Sequence, residues 1–354
     1  MSPDYSALDD GLDRAALARF RTDRAALGWG RAPKGHWATL VFLAVILLIT
    51  TASGIAVIVF LGIPEYQLGR NDPVWWTVGG AYLILISAML FVIVRTYLKI
   101  RPPWVRWWRL SRFAAQNGFT FAPSYPDPRH PGSIFQQGSE RTATDELVEA
   151  SRRELTIGNY SYLVGGRHKT RHDWGYLAIR LERALPHMVL DSRRNNHLFG
   201  VTNLPTDFRR DQTLSLEGDF DRHFRLYCPR EYERDALYVF TPDLMALLID
   251  EAAPYDVEIV DDWLFVYSPR PFDPLSRAGY ERLFRIADTV GAKTLDQTDR
   301  YADDRPGSYP GHSVAMPGRR LTVAFPTVAV LLASLGLVWW VVSVVGEVME
   351  RVAG

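Results

Sequence analysis

LTIGNYSYLVGGRHKTRHDWGYLAIRLE, residues 155–182, decides how the polar middle of this chain folds. Two runs rich in aromatic and β-branched residues flank GGRHKTRHD, which has turn chemistry, so the stretch predicts a β-hairpin. PHMVLDS (186–192) reads as a third strand, and TLSLEG (213–218) and HFRLYC (223–228) as two more. DVEIV (256–260) and WLFVYS (263–268) predict a second hairpin turning at Asp261 and Asp262. TDELVEASRREL (144–155) and YERDALYVF (232–240) read as helices, as does TPDLMALLIDEA (241–252), with Thr241 as N-cap, Pro242 at the first helical position and Asp243 in the first turn. LSRAGYERLFRIADTVG (275–291) closes the series as an amphipathic helix. Strands that neighbour one another in hairpins, without alternating with helices, predict an α+β domain with a mainly antiparallel sheet.

Outside this region the chain turns apolar. The runs at 37–63, 74–94 and 321–346 carry no charged residue or histidine and reach the roughly 20 residues that cross a bilayer core. They predict three transmembrane helices. Arg19, Arg21, Arg24, Arg31 and Lys34 precede the first run, and Arg95, Lys99, Arg101, Arg106, Arg109 and Arg112 follow the second. Arg319 and Arg320 precede the third, whereas the connection between the first two holds only Arg70 and the tail only Arg351. Positive charge is retained inside, so the N-terminus and main domain are expected in the cytoplasm of a bacterial plasma membrane, with the C-terminus outside. The expected order is a cytoplasmic segment 1–36, span 37–63, outer loop 64–73, span 74–94, basic juxtamembrane helix 95–121, domain 122–298, linker 299–320, span 321–346 and tail 347–354. The Pro- and Gly-rich stretches 122–140 and 299–318 read as loops at the domain's two ends.

Several segments together resemble a known group. GNYSYLVG (158–165), WGYLAIRLERALPHMVLD (174–191), LEGDFDRHFRLYCPREYERDALYVFTPDLMALLIDE (216–251) and VEIVDDWLFVY (257–267) are similar to an uncharacterised family of actinobacterial integral membrane proteins. The surroundings of YVFTPDLMALL also resemble a wider bacterial domain of unknown function. The resemblance implies the same arrangement of spans and a bacterial inner membrane, and transfers no catalytic residue.

Net charge is zero, with 40 basic and 40 acidic residues, so the overall balance names no partner. A single cysteine excludes an intramolecular disulfide and Cys-cluster zinc or iron–sulfur sites. There is no GxGxxG, GxxxxGK, HExxH, GxSxG or CxxC motif. No catalytic residue, metal ligand or cofactor is assigned. Cys228 shares FDRHFRLYCPRE (220–231) with His223, but as a strand this stretch sends Phe224, Leu226 and Cys228 to one face and His223, Arg225 and Tyr227 to the other. Cys228 is therefore expected to behave as a small buried hydrophobe. His187 and Asp191 lie four apart in a strand, too far for a direct dyad, and His187 reads as structural.

Two basic features remain. KIRPPWVRWWRLSR (99–112) interleaves Arg101, Arg106, Arg109 and Arg112 with three tryptophans and no acid, the pattern of a helix seated among anionic headgroups. Its place beside a span favours lipid over nucleic acid. At the hairpin tip, Arg167, Lys169 and Arg171 are candidates to hold a phosphate or headgroup; the competing reading is a solvated turn. The leading expectation is a membrane-anchored cytoplasmic interaction or sensing module for a protein partner or inner-leaflet lipid. The alternatives are a membrane-surface enzyme, such as a hydrolase with His and carboxylates gathered by folding, and an accessory subunit of a transport or envelope complex. Small residues in the spans (Thr50, Ser53, Gly54, Gly79, Gly80, Ser87) suit a compact anchor or a homo-oligomer seam.

Overall fold

A computed structural model describes residues 3–30, 34–62, 73–149, 154–166, 168–196, 202–299, 301–303, 305 and 314–323. Its first helices are α1 (Ser6–Asp9), α2 (Arg14–Ala26), α3 (Lys34–Gly62), α4 (Pro73–Ile100) and α5 (Trp104–Gln116). The chain forms two compact units, Asp10–Trp108 and Met1–Asp9 with Arg109–Gly354; the division falls within α5.

In the Asp10–Trp108 unit, Asp13 caps α2 by accepting hydrogen bonds from the Ala15 and Ala16 amides at 2.9 and 3.0 Å. α3 and α4 each contain a stretch, Ala38–Ala56 and Gly79–Leu98, long and apolar enough to cross a membrane. They pack on each other through Gly54, where a Cβ would lie 2.1 Å from Tyr82 Cζ. The missing side chain lets the Tyr82 hydroxyl donate to the Thr50 carbonyl at 2.5 Å. Among the described residues there are thus two candidate spans, where three were expected. The expected third span begins differently: Leu321 is buried in the folded domain, exposed Thr322 bonds Gln212 through its backbone and exposed Val323 bridges to Phe208, and residues 324–346 lie outside the described residues.

The second unit is α+β, as its hairpins predict. Its strands are β1 (Thr120–Pro126), β2 (Ser139–Glu149), β3 (Leu155–Val164), β4 (Thr170–Ser192), β5 (Thr213–Leu214), β6 (Phe224–Tyr227) and β7 (Asp256–Ser268). All pair antiparallel in the order β1-β2-β3-β4-β6-β5, and β7 lines the other side of β4. The β3–β4 hairpin is the one read at 155–182. Three expectations are corrected. Residues 144–149 are strand, where a helix was expected: Ala143 and Leu147 are fully buried, and a register shift between Thr144 and Leu147 accommodates Asp145 at φ 52°. The two strands expected at 174–192 are one, β4, with irregular register around Leu185 and Pro186. The hairpin expected at Asp261 is a bulge in a continuous β7, opposite Leu185, with Asp261 at φ 53°. Asp tolerates that left-handed conformation in a turn or a bulge alike, so its identity does not separate the two. The stretches read as loops at 122–140 and 299–318 also carry β1 and a short helix before the apolar run.

The helices of this unit are α6 (Phe220–His223), α7 (Glu233–Val239), α8 (Pro242–Leu247), α9 (Arg277–Ile286), α10 (Ala292–Thr298) and α11 (Met316–Arg319). Ser276 caps α9 through the Gly279 amide at 3.1 Å. One sheet face, with Leu177, Ile179 and Val266, shares a core with Phe113 of α5, Val239 of α7 and Leu283 of α9. The opposite face, with Tyr160, Tyr176 and Tyr267, is covered by Phe135, Leu204, Phe208 and Leu321. The N-terminal residues join the first core: Ala7 and Leu8 are buried, and Tyr5 stacks on Phe113 with centroids 5.9 Å apart.

Candidate functional site

A histidine and a carboxylate do converge, at the second sheet face. His187 on β4 and Glu258 on β7 are 5% and 1% exposed, with Nε2 2.7 Å from Oε1. Glu258 Oε2 accepts the Ser133 amide at 2.8 Å, the Ser133 hydroxyl at 2.9 Å and the Tyr267 hydroxyl at 2.8 Å. Burial pushes this carboxyl up, yet the donors outweigh it and hold Glu258 below its ordinary range. His187 Nδ1 accepts the Leu321 amide at 3.0 Å, so its ring proton is on Nε2 and is donated to Glu258. Every polar atom of the pair is engaged and shielded from water. The geometry makes it a structural clasp with no place for a substrate, which tells against the hydrolase reading for this pair. The His223 ring pairs with Asp219, at 3.9 Å near the surface.

The clasp fastens the chain just before the last apolar run. Gln212 donates to the Thr322 carbonyl at 2.8 Å and accepts its amide at 2.9 Å. Arg320 grips both oxygens of Asp261, the bulge residue, at 2.7 and 2.8 Å. Upstream, Arg305 lies 3.8 Å over the Tyr232 ring and pairs with Asp235 at 2.7 Å and Asp303 at 3.1 Å. The described residues of this segment, 301–303, 305 and 314–322, thus form a strap held against the domain.

Beside the strap runs an open groove of about 470 Å³ lined by Arg129, His130, Arg141, Asp261, Asp262 and Trp263, among others. His130 packs against Phe135 and Trp263 at 4.9 and 5.2 Å. Burial pushes its imidazole down to about 4, so it is neutral at pH 7. Arg141 pairs with Asp127 at 2.6 Å, and Arg180, paired with Asp262 at 2.7 Å, lies 5.1 Å over Trp263. Exposed Arg129 makes no ion pair among the described residues.

The residues singled out from the sequence fall in two places. Arg106, Arg109 and Arg112 recur every three residues on α5, all half-buried and each with an interaction of its own; Arg101 is exposed just ahead of the helix. At the β3–β4 tip, Lys169 pairs with Glu140 at 2.5 Å and Arg171 with Asp173 at 2.7 Å. Arg167 lies outside the described residues. Cys228 is buried in the first core beside Leu226, and burial foremost pushes its thiol up to about 12. The pairing of His187 was missed because its partner is 71 residues away on another strand. No three-residue His, Cys, Asp or Glu group suited to a metal occurs among the described residues.

No protein-family model matches the chain, and no curated protein does. Among solved structures, the chain is similar to the crystal structure of the mycobacterial trehalose monomycolate transport factor A, at 13% identity and a TM-score of 0.35. The match covers 53% of this chain and 92% of that one.

Proposed function

We propose that this chain is a membrane-anchored interaction module of a bacterial inner membrane. In this reading α3 and α4 form the anchor, α5 meets anionic lipid at the cytoplasmic face, and the α+β unit receives a protein partner. The observation that carries it is the docking of residues 4–8 on the α+β unit: Asn117 bonds the Asp4 backbone, and Leu8 is in the core. That docking supports an anchor of two crossings that returns the chain to the side from which it entered. The Lys and Arg flanks assign that side to the cytoplasm, and the arginines and tryptophans of α5 begin directly after α4.

The test is amide hydrogen exchange over residues 101–116 in full-length protein, in nanodiscs of anionic and of zwitterionic lipid. Slower exchange in the anionic bilayer is expected; equal exchange in both sinks the lipid contact. Lys169 and Arg171 are secondary candidates, since exposed ion pairs are worth about 1 kcal/mol or less and can yield to a phosphate.

A second reading, an accessory subunit held to other membrane helices, is favoured by Gly79 and Gly80. A Cβ on either would meet nothing within 4 Å, so the α3–α4 contact leaves this stretch of α4 open. Native-detergent purification that returns only monomer would count against it.

A further inference from the structure

The second sheet face ends in a pair of buried acids. The β4–β7 ladder sets Val189 opposite Glu258 and Leu190 opposite Val257, so the next step sets Asp191 opposite Asp256, the first residue of β7. On its other flank Asp191 pairs in register with Arg225 of β6. Both aspartates are 0% exposed. Thr202 Oγ1 donates to Asp191 Oδ1 at 3.0 Å, and the Ser192 amide to Asp256 Oδ1 at 2.8 Å. The other oxygen of each, Oδ2, is buried with no hydrogen-bond partner. Asn195 and Asn196 are close enough to lower the two carboxyls, but neither gives a bare oxygen a well-formed bond.

Glu258, two residues along the same face, supplies the contrast. Four donors keep it ionised although it is just as buried. Asp256 has one well-formed donor, the Ser192 amide, with Asn195 a weaker one, and a second carboxyl opposite in register. Two like charges opposed across a ladder repel, and each bare oxygen carries an unrelieved desolvation cost. A single proton on either carboxyl removes the repulsion and lowers the desolvation cost of that group.

We propose that Asp191 and Asp256 share one proton, and that its loss to solvent as pH rises loosens the β4–β7 end of the sheet together with the turn after β4. The groups facing the pair decide which residue holds it. Burial raises Asp191 as well, but Arg225 from β6 and Arg193 from the turn oppose it and favour Asp191 as the anion, while Glu258 is already saturated. Asp256 is the acid: burial raises it most, Asp191 adds to this, and the Ser192 and Asn195 donors offset only part, leaving it at about 7. Opening follows because the same residues hold the turn. Ser192 Oγ donates to the Ala253 carbonyl, and Asn195 Nδ2 to that of Pro254 at 3.4 Å.

The sign follows from linkage. The folded chain keeps a proton that an ordinary aspartate releases near 4, so stability falls as pH rises from about 4 to about 7, by up to roughly tenfold in the folded ratio per pH unit. The experiment is thermal unfolding of full-length protein in detergent from about pH 5 to about pH 8, with infrared spectra over the same range. Asp256→Asn keeps a donor to the bare Asp191 oxygen and removes the proton. The wild type is expected to lose stability with rising pH relative to Asp256→Asn, which keeps the opposing contribution of His130, and to show a protonated-carboxyl stretch that disappears; Asp256→Asn lacks the stretch. If Asp256→Asn does not fold, Asp191→Asn is expected to move or abolish the stretch. An unchanged stretch in whichever variant folds, a wild type without the stretch, or a wild-type slope abolished by millimolar Mg²⁺ or Ca²⁺ overturns the proposal, the last by making the pair a cation site.

Discussion

Asn117, just past the end of α5, clasps the backbone of Asp4: Oδ1 accepts the Asp4 amide at 2.7 Å and Nδ2 donates to the Asp4 carbonyl at 2.9 Å. The two residues are 113 apart in the chain, with both membrane-length helices between them. Asn117→Ala is expected to weaken the docking by about 1 kcal/mol, roughly fivefold in local opening. Faster amide exchange at residues 4–9 with the sheet unchanged is the expected result, and equal exchange counts against the clasp.

His187→Ala removes a donor to buried Glu258 and the acceptor for the Leu321 amide together. Leaving a buried charge short of a partner costs about 3 kcal/mol. Chemical unfolding followed by near-ultraviolet circular dichroism is expected to register that loss, whereas a change under 1 kcal/mol would mean the strap does not depend on the clasp.

Gly54 and Gly79 are expected to respond oppositely to a larger side chain. Gly54→Leu drives into the Tyr82 ring and should lower the thermal midpoint in detergent; Gly79→Leu enters open space and should leave it unchanged. Equal effects from both would contradict the α3–α4 contact.

Cys228 should resist alkylation. Its thiolate is disfavoured by burial at any ordinary pH, so iodoacetamide at pH 8 is expected to label it only after denaturation. Rapid labelling of the folded protein would reopen the nucleophile question.

His130 shapes the acid limb of stability. Its folded value, about 4, lies below the ordinary 6.5, so the unfolded chain binds the proton first and stability falls as pH drops from 6.5 to about 4. His130→Phe keeps the aromatic packing and is expected to flatten that limb in a pH series of thermal unfolding. A limb unchanged by the substitution would assign the acid sensitivity to other groups.

What the sequence by itself determined is what short-range physics writes. A run of uncharged apolar residues as long as α3 or α4 predicts a membrane-length helix, and alternating aromatic and β-branched residues around GGRHKT predict the β3–β4 hairpin. The same alternation placed Cys228 in the core, whereas His223, expected on the strand's other face, is the last residue of helix α6. Tertiary structure decided the rest. β2 reads as a helix because its charged residues hide the burial of Ala143 and Leu147, which pairing with β1 and β3 and the register shift at Asp145 bring about. Asp261 has the identity of a turn residue, and whether it turns or bulges depends on β4 running unbroken beside it. His187 with Glu258 and Asn117 with Asp4 are each joined across 71 or more residues. Such contacts arise from sheet register and core docking, which no local pattern of residues encodes.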